Sequence, residues 1–566
     1  MIGVILKDGQ LPIVEEFFEL FKTPWEVYAG GRAYDVVVST HDDGSLPQAR
    51  LLIIFGGRNT GSDVPLGLAA GTRRQGGTVD THAESLPIYG ELLTFIPQSG
   101  QAVCLSATEG IVGIRIRRPG FTAIRIGYDL FEEVRSLLSA GQPVEHAGVP
   151  ALDLHVEMLR NWIVGADIPV VEIPPVPAGH DFSVCLTHDI DFVGIRDHKL
   201  DHSMWGFLYR ATVGSARNFL RGRLTMARLL KTWRAALSLP FVYLGWAKDF
   251  WEPFSWYLAA EAQLPATYYM IPVKRRAGDR VPGKGARRRA TAYDVTDVRE
   301  WTARLLDTGC EVGVHGIDAW HDAVKGREEM GRVAGVTGGS ALGIRMHWLL
   351  QNAETPAVLE EAGYSYDSTA GYNETIGYRN GTSQVFRPLG ARTLLELPMH
   401  IQDGALFYPQ RLDLAEPEAA ARCRELIDRS AKLGGVLTVL WHDRSHGPER
   451  FWGDFYLGLI ATLKSTGAWF ATASQVVGWF RRRRAVRFRQ VDTTNGVGIA
   501  IEYDGDEIRP ALRLRVHRPS PVSNGESFAS TTTDIMWDGR APLLLDSAFR
   551  WVPDGAAFPR VQAAAI

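Results

Sequence analysis

The sequence predicts an α/β protein with three domains: an α/β domain over 1–170, a parallel (β/α) barrel over 180–484 and a small antiparallel β domain over 486–566. Three observations support this prediction. At 566 residues the chain is too long for one hydrophobic core. Its middle part alternates continuous apolar stretches with helical stretches, whereas its last part consists of short alternating runs.

The first domain mixes strand and helix patterns. Short apolar runs such as YDVVVST, RLLIIFGG and TAIRIGYD are typical of strands, whereas EEFFELFKTPWEV and LDLHVEMLRNWIVG have the spacing of amphipathic helices. A proline-rich segment, VVEIPPVPAGHDF, follows and is typical of a linker. We therefore expect a unit of α/β or α+β type before the barrel.

The barrel is predicted from seven apolar strands separated by helices. The strands are SVCLTHDID, ATYYMIPV, CEVGVHG, LGIRMHWLL, TLLELPMHI, GVLTVLWHD and AWFATA. Because these apolar strands are continuous and alternate with helices, we expect a parallel sheet that is covered on its outer face. Seven such strands indicate a barrel, and barrels place their functional residues at the strand ends.

An insert over 193–248 interrupts the alternation of strands and helices. It contains ten basic residues and only two acidic ones, interleaved with Leu, Trp, Phe and Tyr. Two interpretations remain open. The insert is either a solvated helical hairpin over the barrel or a helix that lies on an anionic membrane surface or along an acidic glycan.

Composition argues against several functional classes. A net charge of −3 gives no reason to expect a nucleic-acid partner. The four cysteines form no C-x-x-C pair, which argues against a disulfide framework and against a cysteine zinc site. The N-terminus lacks the basic start of a signal peptide and no stretch approaches 18 uncharged apolar residues, so we expect a cytoplasmic protein.

The first chemically informative segment is LTHDIDF, residues 186–192. Alternate residues of a strand face the same way, so Thr187, Asp189 and Asp191 should project together. Two neighbouring carboxylates repel each other unless a cation lies between them. The pattern favours a metal bound by one carboxylate while the other acts as a base; the alternative is a polar strand end that caps the next helix.

Two histidines follow in EVGVHGIDAWHD. His315 ends an apolar strand, where neutral imidazole is a good ligand for zinc or a similar divalent ion. His321 lies six residues further, about 600° around a helix, so it can join the same site only through a loop. The alternative for His321 is a surface or supporting histidine. Asp318 is suited to cap the following helix.

Two further strand ends carry candidates: Arg345 and His347 lie at one of them, and His442 lies at the other. Arginine can hold a carboxylate at two points, so Arg345 could orient a catalytic aspartate, and His347 would lie within reach of the same metal. A histidine near its ordinary pKa can donate a proton to a leaving amine, which suits His442. His400 and Asp403 are the candidates to orient such an acid.

These segments resemble the motifs of the NodB-type polysaccharide deacetylases, carbohydrate esterase family four. LTHDID resembles the first motif and implies Asp189 as the general base and Asp191 as a metal ligand. VHGIDAWHD occupies the second motif and implies His315 as a ligand. IRMHW resembles the third motif and makes Arg345 the residue that holds the base, and LWHD resembles the last and makes His442 the general acid. The implied fold is a distorted (β/α)7 barrel.

The sequence departs from the family pattern at three positions. Ile190 separates the two aspartates, Ala319 stands where the second histidine of the second motif belongs, and His347 replaces the proline of the third motif. The last two departures are linked if His347 supplies the missing ligand. We therefore favour His347 over His321 as the third ligand.

The resemblance implies a metal-dependent deacetylase that acts on an N- or O-acetylated polysaccharide or its precursor, with Zn²⁺ as the expected ion. The segment YDSTAGYNETIGYRNGTSQVFRP resembles a bacterial branch of the family tied to surface-polysaccharide synthesis. Two alternatives remain: an amidohydrolase that acts on a small non-sugar C–N bond, and a glycan-binding relative without catalysis. The presence of Asp189, Asp191, Arg345 and His442 favours an enzyme.

Overall fold

The computed structural model describes residues 1–42, 44, 46–81, 84–281, 286–493, 496–519, 530–546 and 549–551. These residues form two compact units. The first contains Met1–Val134, Leu154–Ala178 and the described residues from Trp479 onward, and the second contains Arg135–Asp153 and Gly179–Gly478. All the candidate site residues belong to the second unit.

The N-terminal part of the first unit is built on a nine-stranded mixed sheet. Its strands are β1 (Ile2–Ile5), β2 (Trp25–Val27), β3 (Tyr34–Ser39), β4 (Ala49–Phe55), β5 (Ala69–Asp80), β6 (Ser85–Ile96), β7 (Gln101–Ala107), β8 (Gly110–Arg118) and β9 (Phe121–Ile126). The order is β2-β1-β3-β4-β9-β8-β6-β5-β7, parallel as far as β9 and antiparallel beyond it. The runs YDVVVST, RLLIIFGG and TAIRIGYD provide β3, β4 and β9, as predicted.

The same part of the chain contains α1 (Leu11–Phe21), α2 (Leu130–Ser139), α3 (Ala151–Val164) and a short strand, β10 (Val170–Glu172). The prolines that follow β10 cannot donate backbone hydrogen bonds, and no strand continues through them. The segment predicted as a linker therefore begins with a strand.

The sheet of the second unit is parallel throughout. Its strands are β11 (Phe182–Ile190), β12 (Ala266–Met270), β13 (Glu311–Gly316), β14 (Gly343–Met346), β15 (Tyr366–Asp367), β16 (Leu395–Glu396), β17 (Ile401–Gln402), β18 (Val436–Leu440) and β19 (Ala468–Phe470). The order is β16-β15-β14-β13-β12-β11-β18-β17, and β19 also pairs with β11. All seven predicted strands are present, one of them divided into β16 and β17, and the predicted parallel sheet is confirmed. β15 is an additional strand that the sequence pattern did not predict.

β16 and β17 stand at the two ends of this order, so the described strands form an open half barrel. Every residue of β11 is buried. Its first half, residues 182–186, is largely apolar, as expected for a strand covered on both faces, whereas Thr187, His188 and Asp189 near its end are buried polar residues. The carboxyl ends of β11, β13, β14 and β18 carry the predicted site residues. Because neighbouring parallel strands end on the same side of the sheet, these residues share one edge.

The helices of the second unit are α4 (His202–Tyr209), α5 (Ser215–Leu220), α6 (Met226–Tyr243), α7 (Phe254–Glu261), α8 (Arg299–Asp307), α9 (Ala323–Thr337), α10 (Thr355–Ala362), α11 (Asp403–Phe407), α12 (Glu416–Leu433) and α13 (Trp452–Lys464), while α14 (Ala473–Ala485) runs on into the first unit. The expected cap of α9 by Asp318 is wrong. α9 begins four residues later than expected, and Asp322 caps it by accepting from the N–H groups of Val324 and Lys325.

The insert over 193–248 contains two helical segments, as the hairpin interpretation predicts. A π-helical turn over Arg210–Gly214 joins α4 to α5, and α6 follows. Buried apolar side chains give these helices a small core of their own, formed by Ile195, Met204, Phe207, Ala211, Leu239, Val242 and Trp251. No helix within the described residues is both long enough and apolar enough to cross a membrane.

The last strands belong to the first unit. β20 (Arg487–Thr493), β21 (Gly496–Glu502) and β24 (Leu543–Leu545) form one antiparallel sheet, and β22 (Leu512–Pro519) and β23 (Ser530–Trp537) form another with β10. The alternating pattern after residue 486 thus gives antiparallel strands. A separate C-terminal domain is not confirmed, because backbone hydrogen bonds tie β22 to β10 more than 300 residues earlier. The domain boundaries stay predictions.

Candidate active site

β11 determines which way the first candidates face. Thr187 and Asp189 lie two residues apart on this strand and point to the same side, and Asp191 follows its last residue. His188, between them, points the other way. Its Nδ1 lies 2.9 Å from the carbonyl oxygen of Trp441, and its Nε2 lies 2.6 Å from a carboxylate oxygen of Glu261. His188 is therefore part of the support behind the sheet.

The ligand atoms of Asp191, His315 and His347 converge. His315 Nε2 lies 3.4 Å from Asp191 Oδ1, His347 Nδ1 lies 3.1 Å from the same oxygen, and the two nitrogens are 2.9 Å apart. His315 Nδ1 is 3.0 Å from the carbonyl oxygen of Arg345. Because a carbonyl can only accept, Nδ1 carries the proton of the neutral ring, and the Nε2 lone pair faces the other two ligand atoms.

This set of donors fits a divalent cation. Oδ1 of Asp191 is buried, and no described residue completes a hydrogen bond to it. Burial by itself would raise the pKa of Asp191, but the two imidazole rings outweigh burial and hold that pKa well below its usual range. Two imidazole nitrogens with one carboxylate oxygen are a common ligand set for zinc and similar transition-metal ions. The three residues could therefore hold such an ion.

His321 does not join this group among the described residues. Its Nε2 lies 3.3 Å from Asp318 Oδ1, and its ring packs against Trp320. Glu329 on α9 anchors the preceding loop, accepting from the N–H groups of Ile317 and Asp318 at 2.9 and 2.7 Å. The loop is thus held on α9, and the structure brings His347 rather than His321 beside Asp191 and His315.

Arg345 is buried and holds Asp189 in place. Its Nη1 donates to Asp189 Oδ1 at 3.1 Å and to Thr187 Oγ1 at 2.8 Å. Its Nε and Nη2 donate to the carbonyl and hydroxyl oxygens of Ser368 at 2.9 and 2.8 Å. Arg345 therefore holds Asp189 at one point rather than at the two points expected, because Ser368 occupies its other edge. Oδ2 of Asp189 lies 3.9 Å from His315 Nε2.

His442 follows β18 and is paired with the buried Asp403, the first residue of α11. Its Nδ1 lies 2.5 Å from Asp403 Oδ1, and its backbone N–H donates to Asp403 Oδ2 at 2.8 Å. Burial opposes a charged imidazole, but Asp403 outweighs burial and raises the pKa of His442 to about 10. Burial likewise opposes a charged Asp403, yet His442 holds the pKa of that carboxyl below its usual range. The pair keeps a proton on His442 at neutral pH.

His400, the other candidate to orient His442, has different partners. Its Nδ1 accepts from the backbone N–H of Thr438 at 3.3 Å, its Nε2 lies 3.4 Å from the carbonyl oxygen of Thr382, and burial lowers its pKa to about 4. Ser445, which the motifs did not single out, donates its hydroxyl to Asp403 instead. Its position three residues after His442 is the only signal of this role in the sequence.

One pocket of about 290 Å³ joins these groups. Asp189, Asp191, His315, His347 and His442 line one part of it. Other walls come from residues to which the motifs assigned no role, including Phe192, Arg288, Arg289, Trp348, Arg411 and Arg444. Phe192, Trp348 and Arg444 lie within or directly beside the motif segments. Arg288, Arg289 and Arg411 lie outside those segments, so no motif spacing could have identified them. Trp348, next to His347, has a φ of 65°, a rare conformation for a bulky residue that occurs preferentially at functional sites.

No known family model matches the sequence, and no curated protein is significantly similar to it. Solved structures do match. A protein described as a polysaccharide deacetylase from Mycobacterium smegmatis is 19% identical over 54% of this chain and 94% of its own, with a TM-score of 0.31. One described likewise from Pseudomonas aeruginosa is 14% identical over 56% of this chain and 97% of its own, with a TM-score of 0.33. PuuE allantoinase is 13% identical over 54% of this chain and 92% of its own, with a TM-score of 0.34. Solved structures similar to this chain thus include proteins named for the polysaccharide deacetylases, the family that its motifs resemble.

Proposed function

We propose that this protein is a metal-dependent hydrolase that removes acetyl groups from an acetylated polysaccharide or its precursor, and that its half barrel belongs to a distorted (β/α)7 barrel. One observation carries the proposal. A potential ligand set of two histidines and an aspartate lines the same pocket as Asp189, held by an arginine, and His442, held by a carboxylate. Hydrolysis of an amide or ester needs a base for water and an acid for the leaving group, and this pocket offers both.

Asp191, His315 and His347 would hold the metal ion, with Zn²⁺ as the ion expected for this ligand set. When bound in such a site, a divalent ion lowers the pKa of water and polarises a carbonyl group. The hydrogen bond of His315 supports its role as a metal ligand. Nδ1 donates its proton to the carbonyl oxygen of Arg345, and Nε2 is left free to coordinate the ion.

Asp189 would act as the general base. Arg345 holds its Oδ1, so Oδ2 is the atom that accepts the proton of the attacking water. His442 would act as the general acid. Asp403 holds its Nδ1, so Nε2 donates a proton to the departing nitrogen or oxygen of the sugar. The C–N or C–O bond to the sugar breaks, and the acetyl group leaves as acetic acid, which ionises to acetate and releases the second proton of the water to solvent. The first proton, held by Asp189, returns to His442.

Three variants test these roles. Asp191→Ala and His315→Ala should lose the metal, whereas Asp189→Asn should keep it and lose roughly 10²–10⁴-fold in kcat, because a base can be neutralised without emptying the site. Metal content by mass spectrometry and acetate release from N-acetylhexosamine oligomers are the two measurements. Near-normal kcat in Asp189→Asn would refute the role of the base. Turnover of cyclic amides instead would indicate the amidohydrolase, and a protein without metal or turnover would be a glycan-binding relative.

We also propose that the insert over 193–248 contacts an anionic membrane surface. Its longest helix, α6, has two apolar faces. One is buried in the core of the insert. The other is exposed, its side chains follow at intervals of three or four residues, and it consists of Met226, Leu230, Trp233, Leu237 and Phe241. Their exposed fractions range from 42% for Trp233 to 77% for Leu237.

The same insert carries exposed basic side chains. Arg217, Arg221 and Arg234 are exposed, and none of them forms an ion pair within the part of the chain that the structure describes. A bilayer with anionic headgroups would accept both the apolar stripe and the charge. An acidic glycan would satisfy only the charge, so the apolar stripe favours the membrane.

Co-sedimentation with vesicles tests this contact. We expect the full chain to bind vesicles that contain phosphatidylglycerol, to bind neutral vesicles less, and to be weakened by high salt. Leu237→Ser should reduce binding, whereas Val324→Ser, an exposed apolar residue on α9, should not. Absence of binding, or binding that salt does not affect, would leave the solvated hairpin as the better interpretation.

A further inference from the structure

The candidate active site contains more positive charge than its acidic residues neutralise. Four guanidinium groups line the pocket, those of Arg288, Arg289, Arg411 and Arg444. The carboxylates that line it are Asp189 and Asp191. Asp189 is already paired with Arg345, and Asp191 lies against two histidines. The four arginines are therefore not balanced by the acids of the pocket.

Arg444 packs between two aromatic rings and forms an ion pair with Asp443 that is too long for a hydrogen bond. Its guanidinium carbon lies 3.6 Å from the ring centre of Phe192 and 4.7 Å from that of Trp251. Its Nε is 3.8 Å from Oδ1 of Asp443, beyond hydrogen-bond distance. The oxygens of Asp443 accept the backbone N–H groups of Phe192 and of Arg444 itself. Nε of Arg444 is buried and has no partner among the described residues.

Arg289 and Arg411 form no ion pair with an acidic residue within the described chain. Arg289 is 1% exposed and donates only to carbonyl oxygens, those of Ala277, Gly316 and His347. Its buried Nε has no partner there. Arg411 lies over the ring of Tyr408, 5.9 Å from its centre, and forms no ion pair with a described residue. A buried or half-buried cation without an acidic partner is costly unless an anion binds beside it.

We propose that the substrate carries an anionic oxygen group, a phosphate or a carboxylate, beside the acetylated sugar position, and that Arg444 and Arg411 bind this group. This inference rests on the proposed deacetylase function and narrows its substrate class to acidic or phosphate-linked acetylated sugars. The fork of N–H donors on a guanidinium matches two oxygens of either anion. A neutral glycan leaves these donors without charged acceptors in the pocket and binds more weakly.

Calorimetric binding tests the inference without requiring turnover. N-acetylglucosamine 1-phosphate should bind about tenfold or more tightly than N-acetylglucosamine, since a charge-assisted hydrogen bond contributes more than a neutral one. Arg411→Gln and Arg444→Gln should each weaken binding of the phosphate ester roughly 10–100-fold and weaken binding of the neutral sugar much less. Arg332→Gln on α9, an exposed arginine outside the pocket, is the matched control and should change neither affinity.

Metal content is measured in parallel, because phosphate can also bind a metal ion directly. Loss of phosphate-ester binding at unchanged metal content supports the arginine site. Arg411 is half-exposed, so its variant keeps the test decisive if Arg444→Gln fails to fold. Competition with glucuronate identifies the anionic group of the substrate. If glucuronate binds more tightly than the phosphate ester, the group is a carboxylate; if the phosphate ester binds more tightly, it is a phosphate.

Two outcomes separate this inference from the proposed function. Equal affinity for the charged and the neutral sugar, binding of neither, or unchanged binding in both arginine variants would overturn the anionic substrate and leave deacetylation untouched. A protein that binds the phosphate ester through these arginines but releases no acetate would keep the anion site and lose the proposed reaction.

Discussion

Replacement of Asp403 by Asn tests whether a buried carboxylate keeps the acid protonated. Asp403 lies 2.5 Å from His442 Nδ1 and outweighs burial to raise the pKa of His442 to about 10. In Asp403→Asn the charge is lost while burial, which lowers the pKa, remains. The pKa of His442 should then fall to its ordinary value of about 6.5 or below, a change of roughly three units or more, equivalent to about 4 kcal/mol.

The sign of the effect on rate follows from the role of the acid. A general acid must be protonated, so activity is lost as pH rises through its pKa. The wild-type rate should therefore persist up to about pH 10, whereas the variant should lose activity above about pH 6.5 and be roughly 30-fold slower at pH 8. The assay is kcat for acetate release between pH 5 and 11, with folding checked by circular dichroism at each pH.

Ser445→Ala is the matched control. It removes the hydroxyl that donates to Asp403 but keeps the carboxylate charge, so the alkaline loss of activity should move by less than about one pH unit. An unchanged alkaline limb in Asp403→Asn would refute the reasoning, because the proton that limits the rate would then not belong to the pair of His442 and Asp403.

Three further predictions concern the metal, the base and the sheet. His347→Ala should weaken metal affinity far more than His321→Ala, for which the loss of affinity should not exceed about 10–100-fold. Equilibrium dialysis measures both affinities. The reverse order would mean that His321 is the third ligand. Arg345→Lys should lower kcat by about tenfold or more with metal content unchanged, because one ammonium group cannot replace the four hydrogen bonds of the guanidinium. A kcat equal to that of the wild type in this variant would contradict the orienting role of Arg345. Gly343→Ala should destabilise the second unit by roughly 1–3 kcal/mol or more, because the added Cβ would overlap a buried tyrosine ring on β15. In the control Gly335→Ala, inside α9, the added Cβ meets open space, so this variant should be neutral or more stable. Equal midpoints of urea unfolding for the two variants would contradict this difference.

Much of the sheet could be predicted because its signals are local. A strand such as β11, buried at all nine positions, begins with the largely apolar run 182–186, and that pattern is visible without knowledge of its neighbours. The pairing of β10 with β22 could not be predicted in this way. Backbone hydrogen bonds between strands do not depend on side-chain type, so a three-residue strand leaves no pattern that names a distant partner.

The amino-acid pattern alone places five candidates at or near strand ends, because strand periodicity fixes which side chains face one side: Asp189, Asp191, His315, Arg345 and His442. The rest of the pocket depends on tertiary contacts. These contacts bring His347 beside the ligand atoms and hold the loop with His321 on α9 through Glu329. In the folded chain Asp403, not His400, lies beside His442, and arginines from separate parts of the sequence line the same pocket. The path of a loop depends on contacts with residues far away in the chain, and no local spacing encodes those contacts.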